Sequence, residues 1–396
     1  MNRVTVNLNA LRHNFEVINR WMDEHGASWT AVTKVLCGYA DVLSALAHIG
    51  VTSMGDSRLS NLRALKRIFP DYEGWYLRVP GPSVIEDVVR LSSVSLNSEI
   101  ETIKSLEQAA AREGVKHHVI IMIELGDLRE GILPGSLVKF YEAVFNLPHI
   151  EVLGIGANLG CLAGIAPNMD QLMQLVLYRE LLELKFKHKL PLISAGSSAT
   201  LPLLLDGRVP KGINHFRIGE ALFLGTDLIN GGVLPELRDD VMLLRAEIAE
   251  LKEKGLAMPG DGASIAPFSP DQPGGNEEPP PGQRGYRALI GVGQLDTDIA
   301  GLTPLNPAHK IAGASSDITV VNLGDDPGGL KVGDAIEFHM NYPALLRLMN
   351  CRYITKAVEP PLEVFEASLS ESSAKVSPVL ECITDTVPVQ GDTPAQ

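Results

Sequence analysis

WTAVTKVLCGYADVLSALAHIGVTSM, residues 29–54, contains the structural unit on which the fold prediction rests. It begins with an apolar, strand-like run (29–33), continues through a segment with apolar residues at helical spacing (42–50) and ends in a second strand-like run (51–54). Strands that are apolar throughout and separated by a helix are typical of parallel sheets covered on both faces. The stretch therefore predicts two parallel strands joined by a helix.

The same alternation continues from about residue 9 to residue 228. Further strand candidates lie at 74–79, 93–96, 118–125, 151–158, 190–194 and 214–218. Eight such units over about 220 residues suit a (β/α)8 barrel. A doubly wound open sheet is the alternative for the same pattern. We predict an α/β fold with a (β/α)8 TIM barrel over residues 1–228.

A second, mainly β domain is predicted for residues 229–360. GYRALIGVG (285–293), DITVVNLG (317–324) and KVGDAIEFHMNY (331–342) read as strands with Gly-Asp turns, whereas 241–255 reads as a helix. A Pro- and Gly-rich insertion at about 257–284 and a weakly patterned tail at 361–396 are predicted to be loops or flexible segments.

Composition excludes several classes of protein. The net charge of −14, from 48 acidic and 34 basic residues, argues against a nucleic-acid surface. No run of 18 apolar residues indicates a membrane span, and the amino terminus lacks a signal peptide. The four cysteines are scattered without the spacing of metal ligands. These features predict a cytoplasmic protein with no metal site.

Lys34 directly follows the first strand run and precedes a helical segment. In a parallel barrel the carboxyl ends of the strands form the mouth at which active sites lie. A lysine partly shielded from water there is suited to forming a Schiff base. The alternative is an ordinary surface lysine at the end of a strand.

Two turns rich in small residues follow late strands, SAGSSAT (194–200) and HFRIGEALFLG (215–225). Each opens a helix, where backbone N–H groups and the helix dipole attract an anion. Barrels of this type often bind phosphate after strands seven and eight. The pair indicates a phosphorylated ligand, although glycine and serine also occur in turns that bind nothing.

An ordered set of motifs resembles the alanine racemases, a fold-type III family that uses pyridoxal 5'-phosphate. The set consists of VTVNLNALRHNFEVINR, AVTKVLCGYA, MGDSRLSNLRALK, IELGDLREGI, GIGANLG, SAGSSAT, RIGEALFLG and NYPALLRLM. GQLDTDIAGLTP (293–304) and GASSD (313–317) resemble the ornithine racemase-like branch of that family. The resemblance spans roughly residues 2–355 and implies an amino acid as substrate.

The resemblance also implies which residues hold the cofactor. Lys34 would bind it covalently and act at the substrate Cα. Ser197, with the backbone of Gly219 and Glu220, would hold its phosphate, and Tyr342 would close that site from the second domain.

Three more residues would contact the cofactor ring. Arg129 would face the phenolic oxygen, and Asn158 would stand where alanine racemases stack a histidine against the ring. Arg217 would hydrogen-bond the pyridine nitrogen. Because arginine keeps its protons, the ring would be a weaker electron sink than one paired with a carboxylate, which favours racemisation over transamination.

The sequence departs from alanine racemases at the second base. Gln294 occupies the position of the catalytic tyrosine that the partner subunit donates, and a carboxamide cannot take up a proton near neutral pH. Asp296 and Asp317 are the first candidates for this role, and Asp298 and His309 are further candidates. Aspartates in such loops also serve as turn formers.

These carboxylates suggest a cationic substrate. A side-chain ammonium in a partly closed pocket needs an opposing charge. With Gln294, Asp298 and Ser316 as substrate-binding residues, ornithine or lysine would satisfy the site, whereas alanine would leave the carboxylates unpaired.

The sequence therefore predicts a pyridoxal-phosphate-dependent racemase or epimerase that removes the Cα proton of a basic amino acid. The family completes each site across two subunits, so a head-to-tail homodimer is expected. Decarboxylation, a retro-aldol reaction, or a cofactor carrier without turnover are the alternatives.

Overall fold

The computed structural model describes residues 1–162, 164–256 and 282–369. Strand β1 (Arg3–Asn7) and helix α1 (Leu8–His25) come first. A closed parallel barrel follows, formed by β2 (Ser28–Val32), β3 (Ser53–Asp56), β4 (Glu73–Tyr76), β5 (Val94–Asn97), β6 (His117–Met122), β7 (Ile150–Gly156), β8 (Leu192–Ser197) and β9 (His215–Ile218). Strand β9 pairs with β2 and closes the ring, so the predicted barrel is confirmed.

Helices alternate with the barrel strands. They are α2 (Ala40–His48), α3 (Leu59–Ile68), α4 (Ile85–Leu91), α5 (Ile100–Glu113), α6 (Leu137–Val144), α7 (Met169–Phe186), α8 (Leu201–Leu205) and α9 (Glu220–Leu224). Helix α1 shows why such segments are helical. The Asn7 side chain caps it by accepting from the Ala10 amide, and Gly26 ends it at a φ of 75°. No helix in the described ranges has the length and apolarity to cross a bilayer.

The second domain is built on a mainly antiparallel sheet. Its own elements are β10 (Met242–Gly255), β11 (Arg284–Ile290), β12 (Leu302–Pro304), β13 (Lys310–Ala314), β14 (Thr319–Gly324), β15 (Ala335–Met340), α10 (Tyr342–Asn350), β16 (Thr355–Glu359) and α11 (Leu362–Leu369). Strand β1 also belongs to this sheet, because it pairs antiparallel with β10 and parallel with β16. The first strand of the chain therefore joins the sheet of the second domain.

The helix predicted for 241–255 is wrong, since this segment is strand β10. Met242, Leu244, Ala246 and Ile248 are buried, and the residues between them are more exposed. That alternation has the period of a strand, but the Glu-, Lys- and Leu-rich composition favoured a helix. Pairing with β1, β11 and β15 provides the backbone hydrogen bonds that decide between the two.

Two segments predicted to be flexible fall largely outside the described residues, which omit 257–281 and 370–396. The start of the predicted tail forms α11, which packs against α2. Phe365 of α11 is fully buried, so this helix is anchored to the barrel.

The strands of the barrel approach one another closely at Gly154. A Cβ atom on Gly154 would lie 1.9 Å from the carbonyl oxygen of Leu192 on the neighbouring strand β8. No side chain fits there without moving one strand away from the other. This glycine sets the spacing of β7 and β8.

We expect Gly154→Ala to lower the thermal midpoint of unfolding. Overpacking of this kind costs about 1–3 kcal/mol or more, because backbone and not a flexible side chain must move. Gly135→Ala is the matched control, since a Cβ at Gly135 meets nothing within 4 Å. Equal midpoints for the two variants would contradict the argument.

Candidate active site

A cavity of about 690 Å³ lies at the carboxyl ends of the barrel strands. All the residues assigned from the sequence to cofactor binding lie on its wall: Lys34, Arg129, Asn158, Ser197, Arg217, Gly219, Glu220 and Tyr342. They come from separate strands and from both domains. Parallel strands place their carboxyl ends on one side of a barrel, which is why these distant residues meet.

Lys34 and Tyr342 face each other across the domain boundary. Lys34 begins a single 3-10 turn directly after β2, and its Nζ lies 5.7 Å from the centre of the Tyr342 ring. Tyr342 is the first residue of α10, which Asn341 caps by accepting from the Ala344 amide. The cap fixes where α10 begins and so holds the tyrosine over the lysine.

The turns after β8 and β9 lie side by side. The Ser198 hydroxyl accepts from the Ala221 amide at 3.1 Å, which ties the first turn to the start of α9. Gly219 precedes α9, and a Cβ there would come within 3.1 Å of Val32. The first N–H groups of a helix have no acceptor within the helix. The two turns therefore present hydroxyl and amide donors to the cavity.

Glu220 adds a carboxyl group to this donor-rich wall. Burial raises its pKa to about 7, and the positive charge of Lys34 only partly offsets that rise. Near neutral pH a large fraction of Glu220 is uncharged. A protonated carboxyl is a donor and does not repel an anion, so the wall remains suited to a phosphate.

Arg217 lies at the floor of the cavity, almost fully buried. Its NH1 donates to the Ser194 carbonyl at 2.6 Å and to the Ser194 hydroxyl, and its NH2 donates to Ala157 O at 2.9 Å and Asn158 Oδ1 at 2.8 Å. Burial lowers its pKa to about 10, so it stays charged near neutral pH. These bonds use the four terminal N–H groups, and among the described residues the Nε–H has no acceptor and is open to a ligand.

Arg129 and Glu130 form an ion pair on the cavity wall, next to Asn158. Glu130 also accepts from the Asn158 amide group. The hydrogen bond that Arg129 donates to Glu130 is the main reason that the pKa of Arg129 is raised. Burial acts against ionisation of Glu130, but the bond from Arg129 keeps the pKa of Glu130 below its usual value. Sequence reasoning missed Glu130, although it adjoins Arg129 in the same motif.

The candidate residues of the second domain lie elsewhere. Among the described residues, Gln294, Asp296, Asp298, Ser316 and Asp317 are not part of the cavity wall of their own chain. They share two adjoining surface loops, because the Gln294 and Leu295 amides donate to the carbonyls of residues 315 and 316.

The aspartates of these loops differ in how they are engaged. Asp296 accepts a hydrogen bond from the Gly293 amide at 3.0 Å, a contact typical of an aspartate that stabilises a turn. Asp298 lies 3.8 Å from Arg347. Asp317 is exposed and accepts from the Ser316 hydroxyl at 3.2 Å. Asp317 is therefore the most accessible carboxylate of the set.

Glu220 makes stability depend on pH. Its pKa lies above the ordinary value of 4.5, so charging the carboxylate opposes folding; the cost is absent below pH 4.5 and complete above about pH 7. We expect Glu220→Gln to raise the melting temperature at pH 8 and to change it little at pH 4.5. Exposed Glu142→Gln is the control. An equal effect of Glu220→Gln at both pH values would contradict the assignment.

Comparison with known proteins identifies the family. The model of the alanine racemase N-terminal domain matches residues 6–227. An ornithine racemase from Acetoanaerobium sticklandii is 36% identical over 89% of this chain and 98% of its own length. A lysine racemase from Thermotoga maritima is 30% identical over 91% and 99%.

The fold agrees with these matches. The biosynthetic alanine racemase of Pseudomonas aeruginosa has a TM-score of 0.68 and 16% identity, covering 90% of this chain and 99% of that one. At that identity the likeness shows a shared fold. The family match and the full-length relatives confirm the resemblance seen in the motifs, and the chain belongs to the alanine racemase family.

Proposed function

We propose that this protein is a pyridoxal-phosphate-dependent racemase of a basic amino acid, with ornithine as the first candidate. The observation that carries the proposal is the convergence of Lys34, Arg217 and the two turns after β8 and β9 on one cavity. Full-length relatives named ornithine racemase and lysine racemase support both the reaction and the class of substrate.

The residues of the cavity fit pyridoxal phosphate. Lys34 offers a primary amine, and the free Nε–H of Arg217 suits the acceptor nitrogen of a pyridine ring. The turns at Ser197 and Gly219 offer donors to a phosphate. When bound, the cofactor delocalises negative charge and thereby makes the Cα–H of an attached amino acid acidic. Arg217 stays protonated and donates to the ring without giving up its proton.

The side chains of the protein divide the remaining work. Lys34 takes or returns the proton on one face of Cα. Tyr342 packs against that amine from the second domain and limits the access of water. The Arg129 guanidinium lies on the cavity wall, where it can donate to the acidic groups of a ligand.

We infer that the second proton acceptor comes from outside this cavity wall. Gln294 cannot act as a base, and the carboxylates of its loop lie on the surface of the second domain. In a head-to-tail homodimer that surface would cover the mouth of the partner's barrel. We assign Asp317, with Asp296 as the alternative, to the proton on the opposite face of Cα.

The same loops account for a basic substrate. Asp298 and Asp317, with Ser316 and Gln294, would surround a side-chain ammonium with acceptors. An ammonium that leaves water is stabilised only when opposing charge replaces its hydration.

The described cysteines are unpaired thiols, in keeping with a cytoplasmic location.

The first test of the function compares substrates and replaces the lysine. We expect turnover of L-ornithine or L-lysine to exceed that of L-alanine by at least about a hundredfold in kcat/KM, because alanine leaves the carboxylates unpaired. Lys34→Ala should remove the yellow chromophore of the purified protein and lower kcat by at least about a hundredfold. Optical inversion measures the turnover, and the absorption spectrum measures the chromophore. Equal use of alanine, or an active Lys34→Ala variant, would overturn the proposal.

The second test identifies the base on the opposite face. Loss of one base should abolish racemisation, while exchange of the Cα proton with solvent deuterium continues from the enantiomer whose proton faces Lys34. We expect this result for Asp317→Asn, measured by mass spectrometry with each enantiomer separately. Asp326→Asn, in an exposed turn of the same domain, is the control. Unchanged racemisation by both Asp317→Asn and Asp296→Asn would exclude the assignment.

A further inference from the structure

A row of buried polar side chains crosses the interior of the barrel and ends at Arg217. In order, its members are Glu73, Ser53, Thr30, His215, Ser194 and Arg217, and each is at most 8% exposed. These residues lie on β4, β3, β2, β9 and β8, and their side chains point toward the axis of the barrel. The row is continuous in space although its members are scattered along the chain.

Each link of the row has the length of a hydrogen bond. Glu73 Oε1 to Ser53 Oγ is 3.2 Å, and Ser53 Oγ to Thr30 Oγ1 is 2.8 Å. Thr30 Oγ1 to His215 Nε2 is 3.0 Å, and His215 Nδ1 to Ser194 Oγ is 2.8 Å. Arg217 NH1 donates to Ser194 Oγ and completes the row.

The direction of every bond follows from the two ends. At one end, Glu73 Oε1 accepts from the Ser53 hydroxyl and from the Trp75 indole N–H, and at the other end a guanidinium only donates. The four links between Glu73 and Ser194 must share the protons of three hydroxyls and one neutral imidazole. Ser53 has to donate to Glu73, and Thr30 then has to donate to Ser53. The imidazole donates from Nε2 to Thr30 and accepts at Nδ1 from Ser194.

Independent contacts hold Glu73 and His215 in place. Trp75 donates from its indole nitrogen to Glu73 Oε1 and stacks on the His215 ring, with centroids 4.4 Å apart and planes 12° from parallel. Burial also lowers the pKa of His215 well below its usual value, so the imidazole is neutral. A neutral ring is what the count of protons requires.

We propose that Glu73 is a positioning residue that orients the Arg217 guanidinium through this one-way chain of hydrogen bonds. The chain turns the Ser194 oxygen into an acceptor aimed at NH1, and the Nε–H of Arg217 is thereby directed to the cavity. The effect on turnover rests on the proposed function, whereas the direction of the chain does not.

The direct test reads the tautomer of His215 in the holoenzyme by ¹⁵N NMR with labelled histidine. The His215 signals are assigned by their absence in His215→Gln. In the wild type we expect a protonated Nε2 and a bare Nδ1. Glu73→Gln keeps a carbonyl oxygen as acceptor for both Ser53 and Trp75 and should preserve the tautomer, whereas Glu73→Met removes the acceptor and should shift the His215 signals. A wild-type ring protonated at Nδ1, or unchanged His215 signals in Glu73→Met, would overturn the proposal.

A matched pair of serine variants tests the consequence for Arg217. Ser53→Ala breaks the chain. Ser95→Ala removes a similar buried serine, which bonds His117 Nε2 at 2.8 Å and accepts from Asn97 on the far side of the barrel. We expect Ser53→Ala to shift the His215 signals and to lower kcat about tenfold with little change in KM, as for other groups that orient a functional side chain.

Ser95→Ala should leave both the His215 signals and kcat unchanged, because its hydrogen bonds do not reach Arg217. Equal effects of the two substitutions would mean that the row is only structural, and would overturn the proposal. Ser53→Ala also carries the test if Glu73→Met does not fold. If the variants shift the His215 signals but the wild type does not racemise ornithine, the hydrogen-bond chain stands and the proposed function fails. The two proposals can therefore fail separately.

Discussion

The burial of the Arg217 guanidinium is the constraint on which the rest of the site depends. A cation removed from water is stable only when its N–H groups meet acceptors, and removal of one partner of a buried charge is strongly destabilising. The acceptors come from the ends of β7 and β8, namely Ala157 O, Asn158 Oδ1 and both oxygens of Ser194. The parallel pairing of β7 with β8 and of β8 with β9 therefore brings these acceptors to the guanidinium.

The second domain is fixed to the barrel by the ends of the chain. Strand β1 lies between β10 and β16, so residues separated by more than 200 positions share one sheet. Because α1 follows β1 directly and packs on the barrel, the sheet cannot rotate freely against it. That attachment explains how Tyr342, which belongs to the second domain, is held 5.7 Å from Lys34.

The sequence predicted the parts of the fold that are encoded locally. The eight barrel strands and the positions of Lys34, Arg217 and Gly219 follow from short periodic runs and motifs. The helix predicted for 241–255 failed because strand formation there depends on pairing partners far along the chain. The row from Glu73 to Ser194 was missed for a related reason: each strand contributes isolated polar residues, such as Ser53 in an apolar run, and no local spacing links them.

Arg217 is linked to two acidic side chains through polar groups that lie between them. Glu130 acts through Asn158, and Glu73 acts through Ser53, Thr30, His215 and Ser194. A carboxylate in direct contact with a guanidinium tends to bind two of its N–H groups at once. Such a fork could occupy the Nε–H that faces the cavity. When neutral groups separate the charges, the cation keeps nearby negative charge and the Nε–H stays available to a ligand. The hydroxyls and the imidazole inside the barrel are therefore the means by which a buried arginine remains both stable and free to bind.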